Sequence, residues 1–199
     1  MIQSFSYSPL ERVYCDHKLE EILPVEIELM DINKIFIVSS YNKYKKTKEI
    51  EKIKNILGDK LVGIFDRCEE HSPIENVLEC TQEVKKVSPD IILTIGGGTP
   101  IDTVKVVQLC ITLNIKKAEE LKKLSGRTQN ITSKIRQIAV PTTLSGGEYS
   151  IVGGAMDTEK KLKQGYFGTD ICPKVVILDP HISVHTPEWL WLSTAIRSV

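Results

Sequence analysis

Residues 90–105 read DIILTIGGGTPIDTVK: an apolar, β-branched run, three consecutive glycines, then Thr-Pro-Ile-Asp at the head of a helical pattern. Ile91 to Ile95 form a near-continuous apolar run, as expected of a parallel strand covered on both faces. Glycines at the end of such a strand let the backbone turn without Cβ clashes and bring its N–H groups close to a ligand. The helix that follows adds the partial positive charge of its N-terminus, so the junction suits a phosphate or pyrophosphate. No Gly-Lys-Ser/Thr follows, which excludes a Walker A loop, and the spacing is not that of a G-x-G-x-x-G fingerprint. A tight turn serving packing alone is the competing explanation. Thr99 is expected as the N-cap, Pro100 at the first helical position and Asp102 at the third.

The same strand-then-helix rhythm continues on both sides. KIFIVSS (34–40) predicts a buried strand, and the stretch from Tyr44 to Leu57 carries Ile50, Ile53, Ile56 and Leu57 at helical spacing until Gly58 stops it. LVGIFD (61–66) predicts a second strand, followed by a helix from Ser72 to about Val87. Here Ser72 is read as the N-cap, Pro73 as the first helical residue and Glu75 as the closing member of a capping box. Further strands are expected at QIAVP (137–141) and VVILD (175–179). Strands alternating with helices predict an α/β domain with a parallel sheet and helices on both faces. DTEKKLKQGYFGTD, between Met156 and Pro173, reads as a turn or hairpin tip with a mobile loop. After Pro187 the run EWLWLSTAIRSV begins a helical pattern that carries no stop signal.

A second loop, Pro141-Thr142-Thr143-Leu144-Ser145-Gly146-Gly147-Glu148, places hydroxyls and two more glycines directly after a strand. Ligands of open parallel sheets bind at that carboxyl end. An ordinary polar loop is the plainer reading of this segment alone. Two glycine- and hydroxyl-rich loops at strand ends together point to a shared ligand crevice.

The chain has 199 residues, 41% of them hydrophobic, enough to bury the core of one domain or a little more. Lys and Arg (26) balance Asp and Glu (26), so no net field draws nucleic acid or an anionic membrane, and a small molecule or another protein is the expected partner. The basic stretch from Lys43 to Lys54 is interleaved with acids and reads as a solvated helix face. Cys15, Cys68, Cys80, Cys110 and Cys172 are odd in number, widely spaced and without a CxxC pair, which indicates neither a zinc knuckle nor a disulfide framework and fits a reducing compartment. The N-terminus lacks a basic stretch before an apolar core, and no run approaches ~18 apolar residues, so a cytoplasmic protein is expected.

Three segments, GGGTPID, PTTLSGGEYS and VVILDPHISVHTPEWLWLSTAIR, resemble the iron-type alcohol dehydrogenase superfamily in order and spacing, with the closer likeness to its maleylacetate-reductase-like branch and the related fungal dehydrogenases. The resemblance runs from about residue 5 to the last residue and corresponds to the family's N-terminal, nucleotide-binding half. It implies a Rossmann-like, dehydroquinate-synthase-like domain over residues 1–186 and the start of a helical domain over 187–199. It further implies that Gly96, Gly97, Gly98 and Thr99 wrap the pyrophosphate of a nicotinamide dinucleotide, with Asp102 orienting the loop or meeting the nicotinamide side. The resemblance also implies that Thr142, Thr143 and Ser145 line the same cleft, that Leu178 to Ser183 flank the adenosine, and that Lys163 reaches phosphate or ribose, with Lys160 and Lys161 as alternatives. Ser39 and Ser40 stand where many NAD-preferring members carry an Asp on the ribose hydroxyls. Nothing there repels a 2′-phosphate, and Lys43 or Lys45 can attract one, so both NAD(H) and NADP(H) are admitted.

Family members that bind iron or zinc use an Asp and a His four residues later, plus two later histidines; the resemblance puts Arg197 at the Asp position, and no family metal ligand is expected in this chain. Arg does not ligate a cation, which favours the metal-independent style of maleylacetate reductase. His181 and His185 are four apart, but Pro180 and Pro187 argue against one helix and a shared metal. His17 and His71 stand alone and read as surface or cap residues. Trp189 and Trp191 are expected to pack where a helical domain docks. The implied function is hydride transfer between a nicotinamide dinucleotide and a small carbonyl or alcohol substrate, impaired in a truncated chain. The alternatives are a non-catalytic dinucleotide-binding module that needs a helical partner or a second copy, and a relative of dehydroquinate synthase or glycerol-phosphate dehydrogenase, which fits the loops less well.

Overall fold

The computed structural model describes residues 9–40 and 48–196. Lys43, Lys45 and Arg197 lie outside the described residues. The centre of the fold is a six-stranded sheet in the order β1 (Arg12–Cys15), β9 (Val175–Leu178), β6 (Arg136–Pro141), β4 (Ile91–Gly96), β2 (Ile35–Ser40) and β3 (Leu61–Cys68). Every neighbouring pair is parallel. Along β2 successive side chains alternate between two cores, as strand geometry requires. Ile35 and Ile37 pack with Leu93, Ile95 and Val140 beneath helices α1 (Leu19–Leu29) and α2 (Lys48–Leu57). Phe36 and Val38 pack with Ile92 beneath α3 (Ile74–Val87) and α4 (Gly98–Thr112). The sheet is therefore covered on both faces, and its central strands read as continuous apolar runs for that reason.

The chain passes from β2 outward to β3 and then returns to β4 on the other side of β2. The winding reverses between β2 and β4, and open α/β sheets hold ligands at such a reversal, outside the carboxyl ends of the strands. Ser39 and Ser40 end one of those strands and the glycine turn ends the other.

The stretch expected to be a hairpin tip and mobile loop is mostly strand. β7 (Val152–Asp157) and β8 (Leu162–Gly168) pair antiparallel, and the short β5 (Thr128–Gln129), which follows the short helix α5 (Ala118–Lys122), joins β8. Only residues 158–161 form the turn. The glycines that read as loop punctuation, Gly165 and Gly168, lie within β8, and a side-chain carbon added at Gly168 would stand 2.9 Å from Ile171 Cγ2. This small sheet covers the outer side of α4. With the main sheet on one side and the hairpin on the other, Thr103, Lys105 and Gln108 have no face left toward water, and all three are fully buried.

Both helix starts differ from their sequence reading, and at α3 tertiary contacts claim the capping group. α3 begins at Ile74 with Pro73 in the N-cap position. Ser72 Oγ instead donates to Thr99 O at 3.1 Å and accepts from Thr103 Oγ1 at 3.0 Å, and its carbonyl takes the amide of Met156. Glu75 meets Thr158 rather than closing a capping box. In α4 the N-cap is Gly97, so Thr99 and Pro100 lie inside the first turn. Proline is tolerated there because the first four amides of a helix have no intrahelical acceptor.

Candidate functional site

The glycine turn and the 141–148 loop meet face to face. Gly96 has φ +151°, open to glycine and strained for other residues, and a side-chain carbon there would stand 2.6 Å from Pro100 Cγ. Carbons added at Gly97 and Gly98 would stand 2.9 Å from Thr143 Cγ2 and 3.2 Å from Ser145 Oγ. The three glycines thus serve packing: without side chains the turn lies flush under the second loop. No side chain caps the start of α4, and its first amides have no acceptor within the helix.

The second loop is held at its entrance by the Thr142 amide on Gly96 O at 2.9 Å and by Thr186 Oγ1, which donates to Thr142 O at 2.7 Å. Beside it opens a crevice of about 1100 Å³, bounded among others by Thr143, Leu178, Pro180, Ser183 and Trp191. Its far wall comes from Cys15 and Asp16 at the end of β1, which sequence reasoning did not foresee. The segment from Leu178 to Ser183 includes the short helix α6 (Pro180–Ser183), and Thr186 and Trp191 bracket the step into α7 (Glu188–Ala195). His181 lies in α6 and His185 beyond it, so no one helix carries both.

Asp179 fixes this wall. Its Oδ2 accepts the amide of Leu19, at the start of α1, at 2.7 Å, and its Oδ1 accepts that of His181 at 2.8 Å. One buried carboxylate therefore joins the end of β9 to the starts of two helices. Asp179→Ala is expected to cost about 2 kcal/mol through loss of both caps, and Asp179→Asn, which keeps one acceptor oxygen, about 1 kcal/mol. Urea unfolding of both variants checks the order; equal losses would mean that only one of the two bonds contributes.

Asp102 and Lys163 form a second group. Lys163 reaches from β8 to within 3.3 Å of Asp102 Oδ2, whereas Lys160 and Lys161 sit at the exposed hairpin turn. Burial pushes the Asp102 carboxyl above the usual carboxylate range, and the charges of Lys105 and Lys163 pull it back down. Neither Asp102 nor Lys163 lines the large crevice. The structure thus gathers Gly96, Gly97, Gly98, Thr142, Thr143 and Ser145 at one point, with Ser39 and Ser40 beside them, Leu178 on the crevice wall and the Asp102–Lys163 pair on α4 and β8.

Sequence reasoning missed Lys105. Its Nζ donates to Gly147 O, to Val152 O at 2.8 Å and to Ser150 Oγ at 3.1 Å. The signal was present: a lysine within VKVVQLC, in a helix apolar on every side, has nowhere to go but inward. Glu148 is buried too, lines the crevice, and has its carboxyl pushed up by burial.

The family model for iron-containing alcohol dehydrogenase matches residues 11–180. Dehydrogenase ALT3 of Alternaria alternata is 34% identical over 169 residues, which are 82% of this chain and 44% of that protein. Maleylacetate reductase of Burkholderia cepacia is 25% identical over 174 residues, 87% of this chain and 42% of that protein. The chain spans less than half the length of these relatives. Among solved structures, sulfoacetaldehyde reductase from Bifidobacterium kashiwanohense in complex with NAD+ matches with a TM-score of 0.82 at 18% identity, over 98% of this chain and 51% of that one. An iron-containing alcohol dehydrogenase from Thermotoga maritima matches at 0.79 and 23% identity, over 98% and 52%. At those identities the structural likeness concerns the fold. With the family match running through both glycine-rich loops and the strand that closes the crevice, the chain belongs to the iron-containing alcohol dehydrogenase family.

Proposed function

We propose that the site at the ends of β2, β4, β6 and β9 holds a nicotinamide dinucleotide. The chain is then the cofactor-holding half of an oxidoreductase that moves a hydride between nicotinamide C4 and the carbonyl or alcohol carbon of a small substrate, in the manner of maleylacetate reductases. The observation that carries this reading is the start of α4. It is an uncapped helix N-terminus under a glycine turn, at the reversal point of the sheet, roofed by a loop bearing three hydroxyls. A pyrophosphate fits that place because the amides after Gly96 and the helix dipole both favour an anion.

In this reading the adenosine lies against Leu178 and the residues that follow it, and Thr142, Thr143 and Ser145 offer hydroxyls along the cleft. Lys163 donates to phosphate or ribose from its place beside Asp102. Ser39 and Ser40 leave the end of β2 without a carboxylate, so both NADH and NADPH are accepted. The cofactor supplies the hydride, and this chain binds and orients it. Among the described residues no group of three or more His, Cys, Asp and Glu comes together as a metal site requires.

Trp189, Leu192 and Ile196 on and just after α7 are largely exposed. A helical half, or a second copy, that covers them completes the substrate side of the cleft, and the chain by itself turns over slowly or not at all. No helix among the described residues is long and apolar enough to cross a membrane. Titration with NADH and NADPH, followed by quenching of Trp189 and Trp191 and by nucleotide fluorescence, is expected to show saturable micromolar binding of both. Absence of saturable binding overturns the reading, and turnover equal to that of a full-length relative overturns the expectation of impairment.

A further inference from the structure

We propose that Lys105 is a positioning residue of the nucleotide cradle: from the helix that forms one wall, it pins the loop that forms the other. The inference rests on the reading of the site given above. The roof over the glycine turn is the short stretch from Thr143 to Gly146. Its entrance is fixed by the Thr142–Gly96 bond. Its exit is fixed by Lys105, whose ammonium takes the carbonyls of Gly147 and Val152 and the hydroxyl of Ser150. Three acceptors meet the three donors of an ammonium, so the side chain is saturated by this loop alone.

Lys105 sits seven residues beyond Gly98, on the same rigid helix. The glycine turn and the point that anchors its roof therefore move as one body, and the spacing between the two walls is set by α4. The approach is possible because Gly153 presents no side chain to the lysine stem, with a hypothetical carbon there 2.9 Å from Lys105 Cβ. The surroundings are also matched in charge: Asp102 on α4 and Glu148 in the loop both favour the charged lysine, against the burial that lowers its pKa. A fully buried lysine that contributed only to packing would be replaced at no loss by an apolar residue. One that spends every donor on a single loop has a different role.

Lys105→Met keeps the length of the side chain and removes its donors. The variant is expected to fold with a cooperative unfolding transition, to show faster amide hydrogen exchange confined to residues 144–152, and to bind NADH at least tenfold more weakly. Lys105→Gln keeps a shorter polar side chain with a single amide group to donate and is expected to weaken NADH about threefold; it decides the matter if Lys105→Met does not fold. Unchanged NADH affinity in a folded Lys105→Met, or in Lys105→Gln when that variant must decide, overturns the proposal. So does exchange that quickens equally across β2 and β4, because the effect is then global stability. If the unaltered chain binds neither dinucleotide, the reading of the site falls, and the exchange map alone then judges the clamp: local loosening upholds it and an unchanged map overturns it.

Discussion

Gly97→Val is expected to weaken NADH and NADPH binding by at least about a hundredfold, roughly 2.7 kcal/mol, while the sheet still folds. The effect is steric and local. Gly97 has an ordinary φ of −82°, so valine meets no backbone strain. Its Cβ would stand 2.9 Å from Thr143 Cγ2 and 3.0 Å from Thr143 Oγ1, which forces the roof upward, and its methyls would project where a pyrophosphate approaches the first amides of α4. Gly96 is a poor choice for the same test, because its φ of +151° and its contact with Pro100 make substitution a fold defect as well. Gly126→Ala, with φ +72° but open space around it, serves as the control for backbone strain away from the site. Fluorescence titration of the three proteins decides: an unchanged dissociation constant for Gly97→Val would place the dinucleotide elsewhere.

The parallel core was legible because each of its strands is buried on both faces, which leaves a short apolar run as its signature. β2, β4, β6 and β9 all show it. What escaped was structure whose signal depends on a neighbour. Gly153 and Gly154 let β7 lie flush on α4, Gly168 of β8 packs against Ile171, and glycine in a sequence reads as loop. Ser72 and Thr99 carry the right residue type for caps, but α4 and β7 offer the groups of Ser72 better partners than the amides of α3 do, and α4 starts before Thr99, at Gly98. Local propensity is a weak prior of about 1 kcal/mol or less per residue, and such contacts override it.

At the site, the residues legible in advance were those whose chemistry is unusual where they stand: consecutive glycines at a strand end, and hydroxyls clustered after another strand. The Cys15–Asp16 wall was not, and Lys105 was passed over although its apolar helix carried a signal, because the strand β7 that closes over the outer side of α4 was not itself legible. Cys15 and Asp16 reach the crevice because β1, first in the chain, pairs with β9, last in the sheet's construction.

That pairing is the basis of the largest stability effect expected. β1 is four residues long and lies at the edge of the described sheet, and α1 behind it contains Pro24, which reads as a helix breaker. The two are joined by Glu26, fully buried on α1. Arg12 Nε and Nη2 reach its two oxygens at 2.7 and 2.8 Å, and the Tyr14 hydroxyl donates to it at 2.6 Å. Arg12→Ala leaves that carboxylate in the interior with the tyrosine alone. A buried ion that loses its partner costs about 3 kcal/mol, which for a chain of this size lowers the unfolding midpoint by roughly 6–12 °C. The pH dependence identifies the cause. Burial pushes the Glu26 carboxyl upward, but the hydrogen bonds from Arg12 and Tyr14 outweigh it and hold its pKa below the usual value. The stabilisation from this pair is therefore complete above the unfolded-state pKa of about 4.3 and is lost as pH falls through the lower folded value. Without Arg12 burial prevails, and the variant protonates Glu26 at higher pH than the unaltered chain. The gap between the two proteins should thus be widest near neutrality and narrow in acid, where both carry a neutral carboxyl. Urea unfolding of both proteins across that range tests it; a gap that stays constant with pH would mean that Arg12 contributes through its packing and not through its charge.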